Sequence, residues 1–260
     1  MAGDPLAATG PAGRRLMRVV SYNVHACRGI DRRVDIERVA RVLRRIDADV
    51  IGLQEVEGRP RRSRLDQAQE LAERLGMTCH DGPMLIDGEG GFGNALLTRL
   101  PTVAVAKLRF RHVCLEPRGL LDAELRGPDG RRWRVIVTHL DLKARCRERH
   151  ILRLVGMLRR GPRLPTVVLG DFNEWRPCAR ALGRLDEVAD QLFKLRTFPS
   201  WAPVLPLDRM VLRHCRARRK PRVWTSPLAR LASDHLPVVA DLVAVSHRDS
   251  NAVGVSAGQS

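Results

Sequence analysis

The sequence predicts an α/β (α+β) fold in which two packed mixed β-sheets carry helices on their outer faces. Strand-helix-strand units open the chain and recur around residue 150, which implies parallel strands joined by helical crossovers. Residues 120 to 138 read instead as an antiparallel hairpin. There Leu121, Ala123 and Leu125 alternate with polar neighbours, GPDG supplies a turn, and Trp133, Val135 and Val137 alternate on the return. No internal repeat or linker divides the 260 residues, and a single core accommodates a chain of this length.

In order, Arg18 to Tyr22 forms a first strand, followed by a helix in VDIERVARVLRRID, where Val34, Ile36, Val39, Val42, Leu43 and Ile46 recur at helical spacing. Asp49 to Val56 is a buried strand. A second helix covers Leu65 to Leu75, with Gly76 as its left-handed cap. The hairpin leads into a third helix, Ala144 to Arg160, striped by Ile151, Leu154, Val155 and Leu158 and stopped by Gly161-Pro162. Strands follow at Val167 to Leu169, Arg209 to Leu212 and Leu236 to Val243. Residues 1–15 and 246–260 read as flexible tails around a domain at 16–245.

Hydrophobic residues at 44% and charged residues at 29% exclude a disordered or membrane-embedded class. No apolar stretch approaches the ~20 residues that span a bilayer, and the opening MAGDPLAATGPAGRRLM lacks a signal-peptide core. The six cysteines contain no Cys-x-x-Cys pair, so neither zinc nor a disulfide framework is expected, consistent with the cytoplasm. The net charge is +17, with only four lysines among 46 basic residues. Such a field attracts phosphate polymers or anionic lipid surfaces, although arginine-rich codon usage would produce the same excess.

The strongest signal lies where apolar runs stop. The first strand ends at Asn23, the second at Glu55, the hairpin at His139, and VVLG at Asp171 with Asn173 beyond. Asp208 opens a strand, and Asp234-His235 precede another. Each alone is an ordinary turn residue. Jointly they are ligand-type and proton-transfer-type side chains, where turns draw mostly on Gly, Pro, Ser and Lys. Carboxylates brought together repel unless a cation holds them, and an oxygen donor set without cysteine favours Mg²⁺ or Mn²⁺. Asp208 is placed to orient His235 as a carboxylate-imidazole pair.

SYNVHACRG, LQEV, GNALLTR, PRGLL, THLDL, GDFNEW, LDRMV and SDHLPV, in this order, resemble the endonuclease/exonuclease/phosphatase superfamily over residues 16 to 245. The resemblance implies a four-layer α/β sandwich like that of pancreatic-type deoxyribonuclease, and a metal-dependent phosphoesterase. It implies Glu55 as the principal metal ligand, with Asn23, Asp171 and Asp234. Asn173 would hold the phosphate or the attacking water, and His235, paired with Asp208, would act as base or charge stabiliser. His139, Asn94 and Arg118 would line the phosphate pocket, His139 also assisting the leaving group.

The substrate is less constrained. The only tyrosine is Tyr22, whereas abasic-site endonucleases of the superfamily carry one in mid-chain. Aromatic residues, at 4%, leave few platforms for single-stranded bases. Two basic clusters flank the site in sequence: Arg59, Arg61, Arg62 and Arg64, then Arg213, Arg216, Arg218, Arg219, Lys220 and Arg222. They favour a nuclease, with a phospholipid, sphingomyelin or inositol-phosphate phosphoesterase as the alternative and a non-catalytic nucleic-acid- or lipid-binding relative last. A monomer is favoured. His25 and Cys27 are read as loop residues, Trp133 as core, and Trp175 as a neighbour of the substrate rim.

Overall fold

The computed structural model describes residues 16–58, 66–87, 90–110, 117–176 and 179–245. The predicted tails, Arg59 to Arg64, and Leu65 lie outside them. The first half runs β1 (Met17–Asn23), α1 (Ile36–Ile46), β2 (Val50–Glu57), α2 (Gln67–Leu75), β3 (Thr78–Asp87), β4 (Gly90–Thr98) and β5 (Thr102–Arg109). Next come β6 (Gly119–Arg126), β7 (Arg132–His139), α3 (Ala144–Arg160), β8 (Thr166–Asp171), α4 (Arg180–Asp186) and β9 (Gln191–Leu195). Then β10 (Asp208–Arg213), β11 (Cys215–Ala217), β12 (Arg222–Val223), α5 (Pro227–Ala232) and β13 (Val238–Ala244) close the chain.

Two mixed sheets result. The first has strand order β11-β13-β1-β2-β4-β3, with β12 also paired to β13, and the second β5-β6-β7-β8-β10-β9. The parallel pairs are β1 with β2 and β7 with β8, each joined through a helix, as the strand-helix-strand pattern predicts. The β6–β7 hairpin pairs antiparallel, with Leu121 opposite Val137 and Ala123 opposite Val135.

Strand periodicity explains the layers. Met17 and Val19 of β1 face Val135, Val137, Val167, Leu169 and Met210 of the second sheet, and together they fill the space between the sheets. The alternate residues Val20 and Tyr22 face outward, under Val39, Leu43, Leu71 and Ala229 of α1, α2 and α5. On the other side, Ile136 and Val168 meet Ile151, Leu154 and Leu182 of α3 and α4. Strands buried on both faces are apolar at every position, hence runs such as VVL. Each fully buried Val or Leu contributes roughly 1.5–3 kcal/mol, in the inter-sheet layer and in the two layers under the helices alike.

The helix ends obey local chemistry. Asp35 caps α1 by accepting from the Arg38 N–H, and Asp66 caps α2 by accepting from Ala68 and Gln69. Gly76 ends α2 at φ 62°, as predicted. Val34, expected in the α1 stripe, instead precedes the cap, is exposed, and bridges to Arg28.

Strands β3, β4, β5, β9, β11 and β12 and helices α4 and α5 were not anticipated. Edge strand β5 exposes seven of its eight residues, so its burial leaves no alternating pattern to read. The cysteine expectation is corrected as well: Cys146 is disulfide-bonded, while Cys27, Cys79 and Cys215 are free. No helix among the described residues is long and apolar enough to cross a membrane.

Candidate active site

Pairing register sets a line of functional groups across one edge of the second sheet. Gly119 lies opposite His139, His139 opposite Asp171, and Asp171 opposite Asp208. Neighbouring strands are roughly 4.8 Å apart, so this row spans four strands at one level. His139, Asp171 and Asp208 share strand parity with Val137, Leu169 and Met210 of the inter-sheet core. They form the last layer of that core, turned polar at its rim. Gly170 lets β8 approach β7 at this level, because a Cβ there would sit 2.1 Å from the Thr138 carbonyl oxygen.

The first sheet faces this row with Asn23, Glu55 and Asn94. Asn23 closes β1 on the same inward parity as Val19. Glu55, expected at the end of a strand, lies inside β2, which continues to Glu57. It adopts φ 58°, where the register with β4 slips between Leu53 and Val56. A bulge re-aims one side chain without ending the strand, and here it turns Glu55 to the site. Asn94 donates across the gap to the Gly119 carbonyl at 3.3 Å, leaving its own buried Oδ1 without a partner.

These groups form one connected cluster. Asn23 Nδ2 donates to Glu55 Oε1 at 2.9 Å and to Asp171 Oδ2 at 3.2 Å. The Asn173 backbone N–H, at φ 50°, donates to Asp171 Oδ1 at 2.8 Å. Asn173 Nδ2 donates to the Leu140 carbonyl at 2.9 Å and lies 3.0 Å from His139 Nε2. Arg118 donates to His139 Nδ1 at 2.8 Å. A guanidinium and an amide nitrogen both donate, so donors face the two ring nitrogens of His139, and its Nε2 also lies 3.7 Å from Asp171 and 3.8 Å from Glu55.

His235 reaches in from the loop before β13. Its Nδ1 lies 2.8 Å from Asp208 Oδ2, and its Nε2 lies 3.6 Å from Asp171. The predicted Asp208–His235 pair therefore exists. Thr197 donates to the same Asp208 oxygen, and the Phe198 ring packs 5.0 Å from the imidazole. Ser233 holds this loop to β1 by donating to the Asn23 carbonyl at 2.8 Å.

Burial and neighbours set the protonation of the cluster. Burial pulls His139 well below its ordinary value, and Arg118 and His235 add to the shift, so it is neutral. Burial would do the same to His235, but Asp208 and Asp171 overcome it and raise the imidazole to about 10. Asp171 is pushed up to about 6, chiefly by burial, against the lowering influence of His235. A carboxylate in that position gains from a nearby cation.

The donor chemistry fits a hard divalent cation. Glu55 and Asp171 both accept from Asn23 Nδ2, so two carboxylates converge beside an amide whose oxygen, the atom able to meet a cation, accepts from the His25 N–H at 3.1 Å. Among the described residues no three Asp, Glu, His or Cys side chains form a group that could hold a metal ion by themselves. Asp234, expected beside Asn23, Glu55 and Asp171, makes no hydrogen bond or ion pair with these three. It lies 3.7 Å from His25 Nδ1 and 3.3 Å from the Ser233 hydroxyl, at the mouth.

Several contributors escape sequence reasoning. His25 stands at the mouth because His25, Ala26 and Cys27 all take left-handed backbone angles near φ 50°. Glu174 is buried beside Asn173 and accepts from Arg147 at 3.0 Å and from Arg176 at 2.9 and 3.0 Å. Burial alone would raise it, but these hydrogen bonds hold it down at about 2. Thr197 and Phe198 stand out in no motif. Of the other described histidines, His80 bonds Thr102, and His150 stacks on Phe110 at 4.1 Å.

The second basic cluster adjoins the site in sequence but in space lies along the outer edge of the first sheet, on β11, β12 and the turn between them. The Arg218 N–H donates to the Asp241 carbonyl, and Arg216 and Arg222 pair with Val243 and Val239, so the cluster runs along the outer edge of β13 from its far end back toward its start. A cavity of about 270 Å³ there is lined by Arg18, Arg218, Arg219, Lys220 and Arg222. Arg18 lies near the start of β1, at the opposite end from Asn23.

Residues 20–235 match the family model described as Endonuclease/Exonuclease/phosphatase family. The chain is 28% identical over 249 residues to protein YbhP of Escherichia coli (strain K12), covering 86% of this chain and 95% of YbhP. An endonuclease/exonuclease/phosphatase family protein from Bacteroides thetaiotaomicron superposes with a TM-score of 0.74 at 19% identity, over 90% of this chain and 99% of that one. The mannosyl-6-phosphatase Bt3783 of Bacteroides thetaiotaomicron VPI-5482 superposes with a TM-score of 0.71 at 20% identity, over 87% of this chain and 99% of its own. With the family model spanning both halves of the polar layer, from Asn23 to His235, the chain belongs to the Endonuclease/Exonuclease/phosphatase family and is a phosphoesterase.

Proposed function

We propose that the protein hydrolyses phosphodiester bonds by direct attack of water, using a divalent cation, Mg²⁺ or Mn²⁺, held by Asn23, Glu55 and Asp171, with Asp234 at the mouth as an outer contributor. The observation that carries this is the convergence of Glu55 and Asp171 on Asn23 beneath two differently protonated histidines. When bound, the cation supplies positive charge for the phosphoryl oxygens and an acidified water nucleophile.

The protein groups divide the remaining work. Arg118 and Asn94 fix phosphoryl oxygens, and Asn173 orients the phosphate or the water from its position between Asp171 and His139. Neutral His139 turns its Nε2 edge toward the cluster, beside the place a phosphoryl or leaving-group oxygen would take. His235, paired with Asp208, is charged at neutral pH and stabilises developing negative charge, so of the two roles the resemblance allows it takes charge stabiliser over base.

A nucleic-acid substrate rests on charge. Of the two clusters behind that preference, Arg59 to Arg64 lie outside the described residues, and the other extends down the far edge of β13. A phospholipid phosphoester is the second reading, favoured by the surface around the mouth. The fold leaves this open, since it serves a mannosyl-6-phosphatase as well. The metal-binding assignment is tested by calorimetric titration of Mn²⁺. Wild type binds the ion, and both Glu55→Gln and Asp171→Asn weaken binding at least about a hundredfold; unchanged binding in both variants would remove the assignment.

A further inference from the structure

Nine large apolar side chains are exposed among the described residues, and six sit on loops at the site edge of the sheets: Ile30, Val34, Leu142, Trp175, Trp201 and Val204. Their placement follows from the site. Leu142 comes three residues after His139, and Trp175 two after Asn173. The Ser200 N–H, next to Trp201, donates to the Asp234 carbonyl, and Val204 returns to Phe198, which packs on His235. Ile30 bonds the backbone of Leu231 shortly before Asp234, and Val34 bridges Arg28 in the same loop. The other three exposed apolar residues are on β5 and α3. The loops at the opposite end carry none among the described residues.

Cations interleave with these residues on the same loops. Arg28, Arg32, Lys143 and Arg196 are exposed there with no ion pair to a carboxylate among the described residues, and Arg33 is exposed beside Asp31. The nearby acids are engaged: Asp31 with Arg38, and Glu174 with Arg147 and Arg176. Exposed tryptophan and aliphatic side chains set among unpaired arginines suit the boundary between anionic headgroups and acyl chains, where each cation adds about fivefold to affinity. A nucleic-acid backbone would use the cations and leave the aliphatic residues unsatisfied. The basic edge of β13 shows the contrast, because it has cations and no exposed large apolar residue.

We propose that the mouth of the site docks on an anionic phospholipid bilayer and takes its phosphoester from a lipid headgroup at that surface. This rests on the phosphodiesterase reading above. The test is flotation with phosphatidylcholine vesicles, with and without phosphatidylglycerol, beside turnover of the soluble substrate bis(p-nitrophenyl) phosphate.

Wild type should bind the anionic vesicles. The triple variant L142S/W201S/V204S should lose more than about tenfold of that binding with soluble turnover unchanged. Charge reversal on the far edge, R218E/R219E/K220E, should change vesicle binding less than about twofold. Vesicle binding lost in the triple variant supports the surface even where the soluble substrate is not turned over, a result that would count against the reaction alone. Absence of vesicle binding, a greater loss from the β13 edge than from the mouth, or mouth-dependent binding of a 20-base-pair DNA duplex in its place would overturn the proposal.

Discussion

The two ends of the sandwich are built from the same strands yet solve different problems. At the opposite end, the β6–β7 hairpin turns through Gly130 at φ 77°, α2 stops at Gly76, and exposed ion pairs such as Arg99–Asp47 at 2.8 Å decorate the loops. At the site end the inter-sheet core finishes in a buried polar layer, with Asn23, Asp171 and Asp208 each 1% exposed. Burying such groups is costly unless each is hydrogen-bonded or held by charge. The difference teaches that the site end is organised for chemistry at some expense to stability, while the opposite end only has to close the chain.

Mutations should separate the ends. The largest effect is expected at Asp171→Asn, which should lower turnover at least about a thousandfold and leave the melting temperature equal or higher. Activity and melting curves together check this; a large loss of stability would erase the distinction. Asp208→Asn should come next, with turnover falling about a hundredfold. Imidazole NMR on the metal-free protein should then show His235 losing its charge at neutral pH, while His139 stays neutral.

Glu174 tests the site end through pH. Its carboxyl is held at about 2 in the fold against an ordinary value of 4.5. Stability from it is therefore complete above about 4.5 and is lost as pH falls toward about 2, amounting to roughly 3 kcal/mol. Acid unfolding of Glu174→Gln should lack this component and start from a less stable neutral state, because Arg147 loses a buried partner. An unchanged acid profile would show that Arg147 and Arg176 do not hold the carboxyl down. The smallest effect belongs to the opposite end, where Arg99→Ala should cost under about 0.5 kcal/mol in chemical denaturation, as exposed ion pairs do.

Much of this was legible in the sequence for a physical reason. Strands buried on both faces read as apolar runs, so the residue that ends each run marks the sheet edge, and Asn23, His139, Asp171, Asp208 and His235 were found that way. Glu55 was identified but misplaced at a strand end, because a bulge is invisible without its partner strand. Thr197 and Phe198 reach the site through the fold of a loop and no spacing announces them. Cys146 carries a disulfide that cysteine spacing did not suggest. The basic cluster after Asp208 misled in the opposite sense: it is near the site along the chain, yet β10 carries it to the far end of β13 and it returns along that strand's outer edge.

The most direct test of the account is the rate of bis(p-nitrophenyl) phosphate hydrolysis with Mg²⁺ or Mn²⁺, measured for wild type and for Glu55→Gln/Asp171→Asn. Metal-dependent turnover in wild type, abolished by chelation and absent from a folded double variant, is the predicted result. A double variant that hydrolyses the substrate at the wild-type rate would contradict it.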